Sequence, residues 1–210
     1  MKTALQRIDR NWFSAWPAIG ARQDDGQLLN VLLACYAEPH RAYHTQQHLR
    51  ECLAWLQRLQ AHAGRPAEIA IALWFHDAIY RTDRHDNEAR CADWARAAVW
   101  AAGGEAAAAE RIHALVLATQ HDAQPGDADA QLLVDIDLAI LGAPERRFDQ
   151  YERQVRQEYA AVPEAAFRQG RRRILEAFLA RPRLYATPAG QALFEARARR
   201  NLQRSITALR

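Results

Sequence analysis

No stretch of the 210 residues approaches the eighteen or so apolar positions that a membrane helix needs. The opening MKTALQRIDRNW breaks its apolar positions with Arg7, Asp9 and Arg10, so no secretory signal is expected. Cysteine is scarce. Cys35, Cys52 and Cys91 are scattered and lack any C-x-x-C spacing, which argues against a disulfide framework and a thiolate zinc site and points to the reducing cytoplasm. Lysine is nearly missing, since every basic residue except Lys2 is arginine. Internal repeats and low-complexity linkers are lacking too, and the alanine run 106–109 simply favours helix.

The chain that remains is 50% hydrophobic and 25% charged, the composition of an ordinary globular protein. At this length one compact domain is the default, burying about 70% of the unfolded surface. The net charge of +3 conceals an asymmetry. Residues 1–144 carry 13 basic and 18 acidic side chains, and 145–210 carry 15 and 7. An arginine-rich last third suits phosphate or carboxylate contacts, and equally a solvated helical face. Without interleaved aromatics or a reading motif, nucleic acid is not the expected partner.

Glycine and proline fall mostly between segments, which is the punctuation of helices joined by short loops. The pattern predicts an all-α domain of nine or ten helices, near 4–16, 25–37, 44–62, 66–80, 86–102, 105–121, 128–141, 145–160, 164–180 and 188–208. Asp24 and Thr187 are placed to cap helix starts, Pro66 and Pro188 to occupy first turns, and Gly142 to stop a helix. Leu132, Val134, Ile136, Leu138 and Ile140 alternate as a strand would, but nothing else in the chain offers a pairing partner, so helix is expected there. All six tryptophans fit helical core stripes.

Polar residues intrude on this apolar pattern in three places. In Ile71-Ala-Leu-Trp-Phe-His-Asp-Ala-Ile-Tyr80, His76 shares a stripe with Ile69, Ala72, Leu73, Ile79 and Tyr80 and points inward, with Asp77 one step around. A carboxylate in such a place must pair, neutralise or bind a metal. In Tyr43-His-Thr-Gln-Gln-His48, His48 borders the apolar stripe of Cys52, Trp55, Leu56 and Leu59, and His44 lies a turn earlier at the mouth. In the third segment, Asp137 has Leu133, Val134, Ile140 and Leu141 as helical neighbours, whereas Asp135 has Gln131 beside it and is more easily solvated. Asp137 is therefore the better ligand candidate.

The order His48, His76-Asp77, Asp137 resembles the HD-domain superfamily of metal-dependent phosphohydrolases. The motifs Tyr43-His44-x-x-x-His48, Phe75-His76-Asp77-x-x-Tyr80, Asp86-Asn87-Glu88 and Asp135-x-Asp137-Leu-x-Ile-Leu-Gly142 are similar to a bacterial branch of predicted HD phosphohydrolases, and the likeness extends to Gly170-Arg171 and Ala198-Arg-Arg-Asn-Leu202. The resemblance implies that His48, His76, Asp77 and Asp137 hold one divalent metal. Two imidazoles and two carboxylates suit Mn²⁺, Fe²⁺, Co²⁺, Ni²⁺ or Zn²⁺. Set beside this is the plainer reading of a buried, hydrogen-bonded His–Asp pair.

Around the quartet, His121 is a candidate for lining the site, with a second metal less expected, and His113 is expected to be structural. In deoxynucleotide phosphatases of the superfamily an acidic residue follows the His-Asp pair by three positions. Tyr80 stands there in this chain, which moves any proton relay to His44, Glu51 or Glu88. Arg147, Arg156, Arg171 and Arg172 are candidate phosphate donors, with Arg171 first, and Tyr151 and Tyr159 are candidate hydroxyl donors. The expected activity is hydrolysis of a small phosphate ester or anhydride, a nucleotide or phosphometabolite, with a homodimer left open. The alternatives are an HD-type di-iron oxygenase and a non-catalytic binding module using the basic C-terminal helices.

Overall fold

The computed structural model describes residues 4–22 and 26–209, with side chains described from Arg10 onward. Among the described residues there is no strand, and the chain is all-helical. The helices are α1 (Ala4–Ala18), α2 (Gln27–Cys35), α3 (Gln46–Leu59), α4 (Pro66–Phe75), α5 (Asn87–Ala101), α6 (Ala106–Leu117), α7 (Ala128–Asp137), α8 (Glu145–Glu158) and α9 (Glu164–Ala180). The last helical stretch runs through α10 (Pro188–Gly190), a π turn Gln191–Glu195 and α11 (Ala196–Ala208). No described helix is long and apolar enough to cross a membrane. Contacts group the chain into two compact units, Met1–Val134 and Asp135–Arg210, the division falling inside α7.

In the first unit α4 is the central element and packs on α1, α3, α5 and α6. Its residues from Ile69 to Phe75 are all at most 2% exposed, as a helix apolar on every side requires. Pro66 opens it at the first turn, and the buried Asp129 carboxylate accepts from the backbone N–H groups of Gly64 and Arg65 just before it. Trp12 meets Trp16 and Trp74 edge-on, each at 5.1 Å between ring centroids.

In the second unit α8 and α11 pack on the 3₁₀ segment Leu138–Gly142, and α9 packs on α11. Thr187 caps α10 by accepting from Gly190 N. Asn201 donates to the carbonyls of Leu141 and Ala143. Gly142 lies within the 3₁₀ segment rather than beyond a helix. Its missing side chain lets the Phe194 backbone approach so closely that a Cβ would lie 2.9 Å from it.

Several local expectations shift. The alternating segment 132–141 is α-helical to Asp137 and then 3₁₀, its apolar residues buried. The helix expected to run through Tyr80 stops at Phe75, and that expected from His44 begins at Gln46, with Thr45 as its cap. Trp100 is no core residue. It is 49% exposed under the Arg96 guanidinium. The Asp24 cap lies outside the described residues.

Candidate metal centre

His48 sits in the first turns of α3, and His76 is the residue on which α4 ends. Their side chains are 3% and 1% exposed. His48 Nε2 and His76 Nε2 face each other at 3.0 Å. Asp77 Oδ2 joins them, 3.3 Å from His48 Nε2 and 3.0 Å from His76 Nε2. Three residues that the sequence singles out for ligation therefore converge within the first unit.

The outer atoms of the rings decide what the inner ones can offer. His76 Nδ1 lies 2.7 Å from the Leu73 carbonyl, which only accepts, so Nδ1 carries the proton. In neutral His76 the Nε2 therefore presents a lone pair to the Asp77 carboxylate, itself only an acceptor. Two acceptors at that separation in a buried place need a cation between them, either a proton on the imidazole or a metal ion. Separations of this size match adjacent ligands about 2.1 Å from one ion. His48 Nδ1 is held by the Tyr43 hydroxyl at 3.0 Å, which also lets its Nε2 act as an acceptor. The donor set thus fits a divalent transition metal.

Burial works against the Asp77 charge, but the His76, His44 and His48 imidazoles, when they carry a second proton, outweigh it through the charges of His76 and His44 and hydrogen bonds from His48 and His76, holding its carboxyl well below the ordinary carboxylate range. Nearby Tyr36 is pushed well above the usual phenol value, first by burial and then by the Asp77 charge.

Cys52 is a further potential ligand, with no C-x-x-C spacing to mark it. It is 2% exposed, its Sγ lies 3.7 and 3.8 Å from the two His48 ring nitrogens, and the potential ligand atoms of His48, Cys52 and His76 all lie within 4.8 Å of one another. The signal was its position one helical turn after His48.

His44 precedes α3, half-buried, its ring stacked on Tyr80 at 4.0 Å and 6.0 Å from the His48 ring. Glu51 accepts from Gln47. Glu88 is half-buried in the first turn of α5, and His113 faces Asp93 at 3.2 Å. His121 caps the 3₁₀ turn 118–120 in the left-handed region, with φ 60°.

The remaining candidates belong to the second unit. Asp137 closes α7 and is half-buried, whereas Asp135 is fully buried, reversing the expected order of solvation. Asp135 is spoken for as an acceptor from Ala186 N, Thr187 N and Thr187 Oγ1. Its carboxyl is pushed up by burial, against these hydrogen bonds. Arg171 is buried, paired with Glu152 at 2.5 Å and set over the Tyr151 ring. Tyr151 is raised by burial; Arg171 opposes this, while the charges of Glu152 and Asp137 add to it. Arg156 staples the turn after α8 through the carbonyls of Tyr159 and Val162 and pairs with Glu164. Arg147 donates to Gln154, and Arg172 pairs with Glu176. Comparison of the chain with family models, curated proteins and solved structures finds no match.

Proposed function

We propose that the protein is a metal-dependent phosphohydrolase of the cytoplasm, acting on a small phosphate ester or anhydride. The observation that carries this reading is the meeting of His48 Nε2, His76 Nε2 and Asp77 Oδ2 around one buried point, with the His76 proton committed elsewhere. The resemblance to HD phosphohydrolases supplies the reaction class. A divalent ion bound by such ligands lowers the pKa of a water and polarises a phosphoryl oxygen.

The chain's own residues do the rest. Leu73 and Tyr43 fix the ring orientations, and Asp77 supplies negative charge at the centre. His44, half-buried against Tyr80, would give a proton to the leaving oxygen as the hydroxide oxygen bonds to phosphorus and the phosphorus–leaving-group bond breaks, the proton lost when water becomes hydroxide having gone to solvent.

Phosphate release from a panel of small phosphate esters and nucleotides, with Mn²⁺, Co²⁺ or Ni²⁺ supplied, tests this. Turnover should stop with a chelator or in Asp77→Ala, and fall by about 10²–10⁴ in His44→Ala. Metal-loaded protein that cleaves none of them, or that carries two irons and consumes oxygen, would reject the phosphohydrolase.

A further inference from the structure

We propose that Arg41, through the turn that carries Asp77, is a positioning residue for the metal centre. The inference rests on the metal reading above. Because α4 stops at Phe75, the peptide groups that follow lose the partners a longer helix would give them. Side chains from elsewhere in the first unit replace those partners. The Tyr36 hydroxyl donates to Trp74 O and accepts from Asp77 N, the Cys91 sulfur accepts from Ile79 N, and the Asn87 amide bonds both backbone groups of Arg81. The carbonyls in the middle of the turn, those of Asp77 and Ala78, go to Arg41.

The Arg41 side chain is 0% exposed, and its contacts use the full capacity of a guanidinium. Nη1 donates to Asp77 O at 2.6 Å and to His44 O at 3.1 Å. Nη2 donates to Ala78 O at 3.0 Å and to Glu38 Oε2 at 2.9 Å. Nε donates to the same Glu38 oxygen at 3.0 Å. The group lies over the rings of Tyr36 and Tyr80, 5.4 and 5.6 Å from their centroids. One rigid, planar cation therefore ties the backbone at His44 to the backbone at Asp77 and fixes the direction from which the carboxylate reaches the two imidazoles. Lysine has three donors on one atom and cannot hold both carbonyls and Glu38 in this plane.

Cobalt(II) binding tests the role directly, by titration of the purified full chain and by the visible absorption of the bound ion, which reports ligand geometry. Arg41→Lys should weaken Co²⁺ by about tenfold and change the absorption at saturation. Glu38→Ala, at a side chain 44% exposed, should leave the chain folded, as its circular dichroism will report, and weaken Co²⁺ several-fold by loosening the guanidinium, so it carries the test if Arg41→Lys does not fold. Arg111→Ala, which breaks the ion pair with buried Glu68 in the same unit, should lower thermal stability and leave the affinity unchanged. Wild-type affinity and absorption in both Arg41→Lys and Glu38→Ala, or an equal loss in Arg111→Ala, would overturn the positioning role. A wild-type chain that binds no Co²⁺ would instead overturn the metal reading, and this inference with it.

Discussion

His76 donates a hydrogen bond from its Nδ1–H to the carbonyl of Leu73, one turn back on the same helix, at 2.7 Å. That bond turns the other ring nitrogen, as a lone pair, toward Asp77. The arrangement is costly without a cation, so a bound ion should stabilise the folded chain. With free Co²⁺ at about a hundred times its dissociation constant, the gain is about 2.7 kcal/mol. Differential scanning calorimetry should show the melting temperature of the wild type rising with Co²⁺ and that of His76→Ala staying still.

The buried thiol of Cys91 makes a separate prediction at high pH. Burial pushes it up from 9.0 to about 12, against a lowering bond from the Ile79 backbone. Between these values the unfolded chain has lost the proton and the folded chain retains it. Its contribution is therefore present below about pH 9 and lost as pH rises toward 12. Urea unfolding at pH 8.5 and 10.5 should show a smaller fall in stability for Cys91→Ala than for the wild type. Equal slopes would contradict the assignment.

Asp129 ties the first turn of α7 to the start of α4 by accepting from Gly64 N at 2.7 Å and Arg65 N at 2.8 Å. Asp129→Ala leaves both donors without this acceptor and should cost about 1–3 kcal/mol. Chemical denaturation measures it, and a loss below about 0.5 kcal/mol would mean that water replaces the carboxylate.

At Gly142 the expected effect is steric. A methyl group there would meet Phe194 Cβ at 2.6 Å and its Cα and carbonyl oxygen at 2.9 Å, and a backbone cannot yield as a side-chain tip does. Gly142→Ala should lower stability by about 1–3 kcal/mol. An unchanged denaturation midpoint would show that the 3₁₀ segment and the π turn shift freely.

The helices were legible because their signals are local. Apolar spacing, Pro66 at a first turn and Thr187 as a cap each act within a few residues. The end of α4 was not, since Tyr36, Arg41, Asn87 and Cys91 come from as many as 41 residues away in sequence to take the peptide groups of 74–81. For the same reason Arg41 gave no signal of its own in a chain where almost every basic residue is arginine. Asp135 misled for a related cause. Its local neighbour Gln131 suggests solvent, while its partners are the distant Ala186 and Thr187. His48, His76 and Asp77 were legible because a polar residue on an apolar stripe needs a partner whatever the fold, and Cys52 was hidden by being apolar enough to belong there.

The most direct measurement is metal content by plasma mass spectrometry on freshly purified, tag-free protein beside Asp77→Ala. One transition metal per chain in the wild type, lost in the variant, is the predicted result. A metal-free wild type that also fails to take up Mn²⁺, Co²⁺ or Ni²⁺ would contradict it, leaving His48, His76 and Asp77 as a protonated, hydrogen-bonded cluster.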